Sequence, residues 1–161
     1  MPVDPLFTIG YQGAVLAQFT ACLRDACVSS VVDVREMPLS HKKGFSKAAL
    51  AEALREAGIG YVHMRSLGCP RDIRLRYRSD GSWAAYSRDF LAHLAAQSDS
   101  VDALAALAGE RTCCVMCFEA DFTACHRTYV ARAVHRNGGP PVIHLRIGAS
   151  PVADPEPRNA T

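Results

Sequence analysis

The segment "VSSVVDVRE", residues 28–36, decides the fold, because valines dominate its middle and charged residues close it. A short, nearly continuous apolar run of this kind is typical of a strand that is buried on both faces of a parallel sheet. Asp33, Arg35 and Glu36 mark the end of the run. The segment therefore predicts a parallel sheet with charged side chains at one edge.

The rest of the chain alternates between strand-like and helix-like segments. The strand-like segments are "LFTIGYQG", "VSSVVDVRE", "IGYVHM", "RTCCVMCF" and "PVIHLRI", and segments with helical periodicity lie between them. This order predicts a single three-layer α/β domain over residues 1–147, with a mostly parallel, Rossmann-like open sheet of about five strands flanked by helices. Residues 148–161 are rich in proline and predict a flexible C-terminal tail.

Composition limits the class of protein. The chain has 161 residues, of which 49% are hydrophobic and 21% charged, as expected for one domain with a buried core. No apolar run reaches the roughly 20 residues needed to cross a bilayer, and the N-terminal residues do not resemble a signal peptide, so we expect a cytoplasmic protein without a membrane partner. Seven cysteines, an odd number, indicate thiols or ligands rather than a disulfide framework.

Reactive and charged side chains follow the predicted strands. In open parallel sheets, ligands bind outside the carboxyl ends of the strands. The residues expected to converge there are Gly10 and Tyr11, Asp33 and Arg35, and Cys117 and Glu119. These side chains form the first set of candidate ligand-binding and catalytic residues.

The segment "CFEADFTACHR", residues 117–127, combines thiols, carboxylates, an imidazole and a guanidinium. A helix is expected to begin near Cys125, and the free N–H groups of a helix N-terminus favour a thiolate or a phosphate group. Arg127 and Arg35 could grip a phosphate through paired N–H donors. Alternatively, both arginines form ion pairs with neighbouring carboxylates.

Three roles are open for the cysteines of this segment. Cys125 could be a nucleophile or redox thiol, with His126 as base and Glu119 as general acid or base. Cys117, Cys125 and His126 could instead hold zinc, although the paired C-x2-C spacing of structural zinc sites is missing. The third role is apolar core filling, which we expect for Cys22, Cys27, Cys113 and Cys114.

Two basic segments surround aromatic residues. Lys43 lies in "SHKKGFSK" and Arg74 in "RDIRLRYR", and both segments follow predicted strands. Cations for phosphates beside rings for stacked bases are what an unpaired nucleic acid or a nucleotide requires. The net charge is only +2, so solvated loops are an equal alternative.

Several motifs, in their order and spacing, resemble the family known as domain of unknown function 488. They are "TIGYQG", "VVDVREMPLSHKKGFSK", "GIGYVHMRSLGCPRDIR" and "VMCFEADFTACHR". The resemblance implies a compact α/β domain with the motif residues at the strand ends, and it implies no particular reaction. Gln12 stands where the family pattern has a glutamate.

Two function classes follow. The first is an enzyme that acts on a phosphate-bearing substrate, a nucleotide or nucleic acid, through Cys125, His126 and Glu119. The second is a non-catalytic module that binds nucleic acid or a protein partner. "GYQG" after the first strand is not a dinucleotide fingerprint, so a nicotinamide-dependent oxidoreductase is not favoured, and the sequence specifies no cofactor. A homodimer is compatible with an exposed sheet edge.

Overall fold

A computed structural model of the protein, which describes residues 4–155, contains one six-stranded sheet. The strands are β1 (Leu6–Gly10), β2 (Ser30–Asp33), β3 (Gly60–His63), β4 (Cys113–Cys117), β5 (Val142–Arg146) and β6 (Ala149–Ala153). Their order across the sheet is β3-β2-β4-β1-β5-β6, and only the β5–β6 pair is antiparallel. The predicted, mostly parallel α/β fold is confirmed.

Helices connect the strands. They are α1 (Leu16–Asp25), α2 (Lys47–Glu56), α3 (Arg71–Asp80), α4 (Trp83–Ala95), α5 (Ser98–Glu110) and α6 (His126–Arg136), with short 3-10 turns at Arg65–Leu67 and Phe122–Ala124. Over the described residues, none of the helices has the length and apolar character that a membrane span requires.

The sheet separates two hydrophobic cores, because successive side chains of a strand point to opposite faces. On β4, Cys113, Val115 and Cys117 belong to the core that includes residues of α4, α5 and α6. Cys114 and Met116 belong to the core that includes residues of α1 and α2. Because both faces of β4 are covered, its sequence is apolar throughout.

Helix α3 was not predicted from the sequence. "RDIRLRYR" was expected to be a loop, but it forms most of a ten-residue helix that begins after Pro70 and ends at Gly81, whose φ is 62°. None of its residues is fully buried. A helix without a buried apolar stripe carries no clear periodic signal, which explains the error.

Strand β6 lies in the segment expected to be a flexible tail. That prediction was wrong for Ala149–Ala153, which pair with β5 through backbone hydrogen bonds. The strand is largely exposed, so its position depends on main-chain pairing and not on an apolar pattern that the sequence could reveal. Residues 156–161 of the expected tail lie outside the described residues.

Gly10 allows the loop after β4 to fold across the end of β1. A Cβ atom at this position would lie 1.7 Å from the carbonyl oxygen of Glu119 and 2.4 Å from its carbonyl carbon. Only glycine permits an approach this close. The contact brings the segment between Cys117 and Cys125 over the carboxyl edge of the sheet.

Candidate functional site

A cavity of about 710 Å³ opens at the carboxyl edge of β1, β2 and β4. We call it the edge cavity. Tyr11, Arg35, Cys117 and Glu119, which follow or end three different strands, all line it, together with Cys125 and His126. The structure therefore brings together most of the residues that the sequence placed at the strand ends.

Cys117 and Cys125 lie next to each other in the lining of the edge cavity. Cys117 ends β4, Cys125 is the N-cap of α6, and their sulfur atoms are joined as a disulfide across eight residues. The Cys125 sulfur accepts the backbone N–H of Arg127 at 3.5 Å. The other five cysteines are free, so the expectation of thiols holds for these five and not for the joined pair. Cys113 and Cys114 are buried, as expected of core residues, but that prediction was wrong for the exposed Cys27 and the half-buried Cys22.

Arg127 does not reach the cavity as the predicted phosphate clamp. Its side chain is 0% exposed, and it donates to the carbonyl oxygens of Glu119 and Ala120. Its Nη1 atom also donates to the Cys117 sulfur at 3.2 Å. Burial lowers the pKa of Arg127 to about 10, although neighbouring acidic groups act in the opposite sense. The side chain therefore contacts the Cys117 sulfur from within the core.

Arg35 lines the cavity but is held by Asp33. The guanidinium donates to both carboxylate oxygens of Asp33 at 2.9 and 2.8 Å, and to the Phe45 carbonyl oxygen at 2.6 Å. Burial acts against the charged form, but the hydrogen bonds to Asp33 outweigh it and raise the pKa of Arg35. Tyr61 donates to the same carboxylate at 2.5 Å. In this structure Arg35 therefore forms an ion pair with Asp33, which was the alternative to a phosphate contact.

His126 and Glu119 occupy different electrostatic environments. The Nε2 atom of His126 donates to the Val34 carbonyl oxygen at 2.8 Å, and burial lowers the pKa of His126 to about 4. A neutral imidazole with so low a pKa is a poor base for a thiol. Glu119 has an exposed carboxylate side chain, and its partial desolvation raises its pKa against the pull of Arg127. Glu119 is thus the better candidate for proton transfer.

Aromatic side chains form one wall of the edge cavity. Trp83 and Tyr86 stack with ring centroids 4.7 Å apart and an interplanar angle of 14°, and the Tyr77 ring meets Trp83 at a steep angle. Tyr86 is buried within the hydrophobic core, and both Trp83 and Tyr86 also line the cavity. Cys69 is a buried thiol that also lines the cavity, and burial raises its pKa to about 11. Its position in the site was not predicted from the sequence.

Cationic side chains also line the edge cavity. Lys42, Arg74 and Arg78 line the cavity, whereas the predicted phosphate ligand Lys43 does not. Arg74 pairs with Glu36 at 3.1 Å, yet its buried Nε atom has no hydrogen-bond partner in the structure. Gly10 does not line the cavity either, and its role is the close contact with the loop after β4.

Residues 4–155 contain no set of side chains that could act as zinc ligands. No three His, Cys, Asp or Glu side chains there are grouped so that they could hold a metal ion. His126, one of the three candidate ligands, uses Nε2 to bind the Val34 carbonyl oxygen instead.

Gln12 contacts the loop that connects the two cysteines. Its side-chain oxygen Oε1 accepts the backbone N–H of Ala120 at 3.1 Å. A glutamate oxygen could accept the same bond, since both side chains present a carbonyl-type acceptor at the same distance from the backbone. The interaction fixes the loop between the two cysteines.

Three of the four motifs quoted above lie within one family match, whereas "TIGYQG", residues 8–13, precedes it. The family model "Domain of unknown function DUF488" matches residues 15–134, which include the disulfide-bonded cysteines, Arg35 and α3. The chain belongs to the DUF488 family. No curated protein and no solved structure matches it. Thr8, His144 and Asp154 lie outside the DUF488 match.

Proposed function

We propose that this DUF488 protein is an enzyme that binds a phosphate-bearing aromatic ligand, a nucleotide or an unpaired nucleotide of a nucleic acid, in the edge cavity. The observation that carries the proposal is the presence of three kinds of group in one cavity. These are stacked aromatic rings, cationic side chains and a pair of cysteines. Each kind matches a part of such a ligand or a step of its chemistry.

The phosphate contacts are assigned to Lys42, Arg74 and Arg78 rather than to Arg35 and Arg127. Arg78 and Lys42 have no carboxylate within ion-pair distance among residues 4–155, and Arg74 retains one unused N–H donor. Arg35 is neutralised by Asp33. An anion that enters the cavity therefore meets two cationic side chains without a carboxylate partner, Lys42 and Arg78, in the same lining as the aromatic rings.

Cys117 is the proposed nucleophile in the reduced protein. Its sulfur accepts a charge-assisted hydrogen bond from Arg127, which favours the thiolate. In the proposed step the sulfur bonds to an electrophilic carbon of the ligand. The electron pair of a carbon–heteroatom double bond moves to the heteroatom, which takes a proton from the Glu119 carboxyl group. The raised pKa of Glu119 increases the protonated fraction that can act as acid.

Trp83 provides a direct test of binding, because it is the only tryptophan in the chain and lines the cavity. We expect nucleoside monophosphates or a short single-stranded oligonucleotide to change its fluorescence, and inorganic phosphate alone to bind more weakly. Arg78→Ala should weaken binding about tenfold, which corresponds to about 1.4 kcal/mol. Arg88→Ala is the matched control, since Arg88 is an exposed arginine on α4 outside the cavity lining.

Two results would count against the proposal. Equal losses in Arg78→Ala and Arg88→Ala would show a diffuse charge effect, and no response to any nucleotide or oligonucleotide would reject the ligand class. A third set of results would reject only the enzymatic part of the proposal. If Cys117→Ser still binds the ligand, Cys117 of the reduced wild type is not alkylated and the ligand is not turned over, the protein is a non-catalytic binding module.

A further inference from the structure

Arg127 is a buried cation whose partners include one group that can become an anion. No carboxylate lies within ion-pair distance of it in the part of the chain that the structure describes. Its hydrogen-bond acceptors are two carbonyl oxygens, the Thr8 hydroxyl and the Cys117 sulfur. Burial of an unpaired charge is costly, so the fold gains if the Cys117 sulfur carries a negative charge.

The orientation of Arg127 depends on a chain of hydrogen bonds with fixed directions. A guanidinium can only donate, so Thr8 Oγ1 accepts from Arg127 Nε at 3.2 Å and turns its own proton elsewhere. That proton faces His144 Nδ1, 2.6 Å away. The Nε2 atom of His144 then donates to Asp154 Oδ1 at 2.9 Å. Asp154 therefore selects the tautomer of His144 that can accept from Thr8.

Asp154 and His144 are themselves held in place. Arg132 donates from Nε and Nη2 to the two oxygens of Asp154 at 2.9 and 3.0 Å. The Phe122 ring lies flat against His144, with centroids 3.9 Å apart and an interplanar angle of 4°. Phe122 belongs to the turn between the two cysteines. Thr8 and His144 are completely buried and lie opposite each other on β1 and β5.

We propose that Thr8, His144 and Asp154 form a hydrogen-bond relay that positions the Arg127 guanidinium against the Cys117 sulfur and thereby keeps this sulfur a thiolate in the reduced protein. All three are positioning residues, since none of them lines the edge cavity. The inference rests on the Cys117 nucleophile of the proposed function but not on its ligand. It can therefore be tested without any ligand.

The relay predicts a specific change in thiol chemistry. A free cysteine has a pKa of about 8.5, and a neighbouring arginine or a helix N-terminus lowers it to about 3.5–7.5. Cys117 should therefore react with iodoacetamide along a pH profile displaced to lower pH. Thr8→Val removes the hydroxyl but keeps the shape, so Arg127 loses an acceptor that orients it. We expect the midpoint of the profile to rise by about one pH unit, a factor of about ten in thiolate at pH values below both midpoints.

The experiment uses the Cys125→Ser background, which prevents disulfide formation, and a reductant without thiols. The alkylation rate of Cys117 is measured between pH 4 and 10 by mass spectrometry, with fragment ions separating Cys117 from Cys113 and Cys114. Thr8→Ser keeps the hydroxyl and should restore the low midpoint. A Thr8→Val protein that is folded by circular dichroism and has an unchanged profile would overturn the proposal, as would a Thr8→Ser profile that matches Thr8→Val.

A second measurement tests the same coupling from its other end, at His144, and does not require Thr8→Val to fold. The ¹⁵N resonances of the His144 ring are titrated in the reduced Cys125→Ser protein and in Cys117→Ser. Loss of the thiolate leaves Arg127 uncompensated, so His144 should take up its proton at lower pH in Cys117→Ser. Identical titrations would refute the coupling. If nucleotides do not bind but the alkylation midpoint of Cys117 is low, the proposed ligand is rejected and the relay is retained. If nucleotides bind but the alkylation midpoint of Cys117 is not low, the relay alone is rejected.

Discussion

Replacement of Gly10 by alanine tests how the fold builds the edge cavity. The new Cβ atom would lie 1.7 Å from the Glu119 carbonyl oxygen, and Cβ atoms essentially never approach another heavy atom within 3.0 Å. The backbone of the loop after β4 would thus have to retreat by about 1.3 Å, because the obstacle is main chain and not a flexible side-chain end. That movement would also displace the carbonyl group that accepts from Arg127.

We expect Gly10→Ala to lower the free energy of unfolding by about 3 kcal/mol, the upper part of the range of about 1–3 kcal/mol for overpacking. For a chain of this length the melting temperature should fall by about 6–12 °C. Gly109→Ala is the matched control, because Gly109 lies inside α5 with no heavy atom within 4 Å of the new Cβ. It should stabilise the protein by about 0.5–1 kcal/mol.

Both variants are measured by urea unfolding and thermal denaturation. Gly10→Ala within about 0.5 kcal/mol of the wild type, an amount typical of neutral surface substitutions, would refute the close contact and the loop position derived from it. A similar loss in Gly109→Ala would show that glycine replacement in general, rather than the contact at Gly10, is responsible.

Three further predictions concern buried polar groups. Asp33→Asn should destabilise the protein by about 3–5 kcal/mol in urea unfolding, because the buried Arg35 charge loses its partner; a loss under 1 kcal/mol would contradict this. Tyr61→Phe removes one hydrogen bond to the same carboxylate and should cost only about 1 kcal/mol in the same assay. The pKa of His126 is 6.5 in the unfolded chain and about 4 in the folded protein. Between these pH values the unfolded chain binds more protons than the folded protein, so the free energy of unfolding should fall as the pH is lowered from 6.5 to 4. His126→Gln should weaken this pH dependence, and an unchanged slope would exclude His126 as its source.

The sequence predicted the layers of the fold because burial on both faces of a sheet leaves a local trace. The apolar runs around Val31 and Val115, and the helical periodicity between them, are visible in short windows of sequence. The convergence of Arg35, Cys117 and Glu119 follows from the same reasoning, since parallel strands deliver their carboxyl ends to one edge. The helix start at Cys125 was likewise evident from the residues that follow it.

The sequence could not predict features that depend on contacts between distant segments. Helix α3 and strand β6 bury few side chains, so they lack the periodic pattern by which the other elements are recognised. Nor does the helical spacing of Trp83 and Tyr86 show that a cavity borders their rings.

The chemistry of the site divides in the same way. The residue types and their order along the chain determined that two cysteines, a glutamate and several arginines meet at one edge of a parallel sheet. Only the tertiary structure decided how these side chains are paired and exposed, because the partners of a side chain include neighbours that are remote in sequence. Arg127 is withdrawn into the core by acceptors that include Thr8, 119 residues away, while Arg78 is left facing the cavity. His144 likewise gains its role from the tertiary structure, because it connects Thr8 on a neighbouring strand to Asp154.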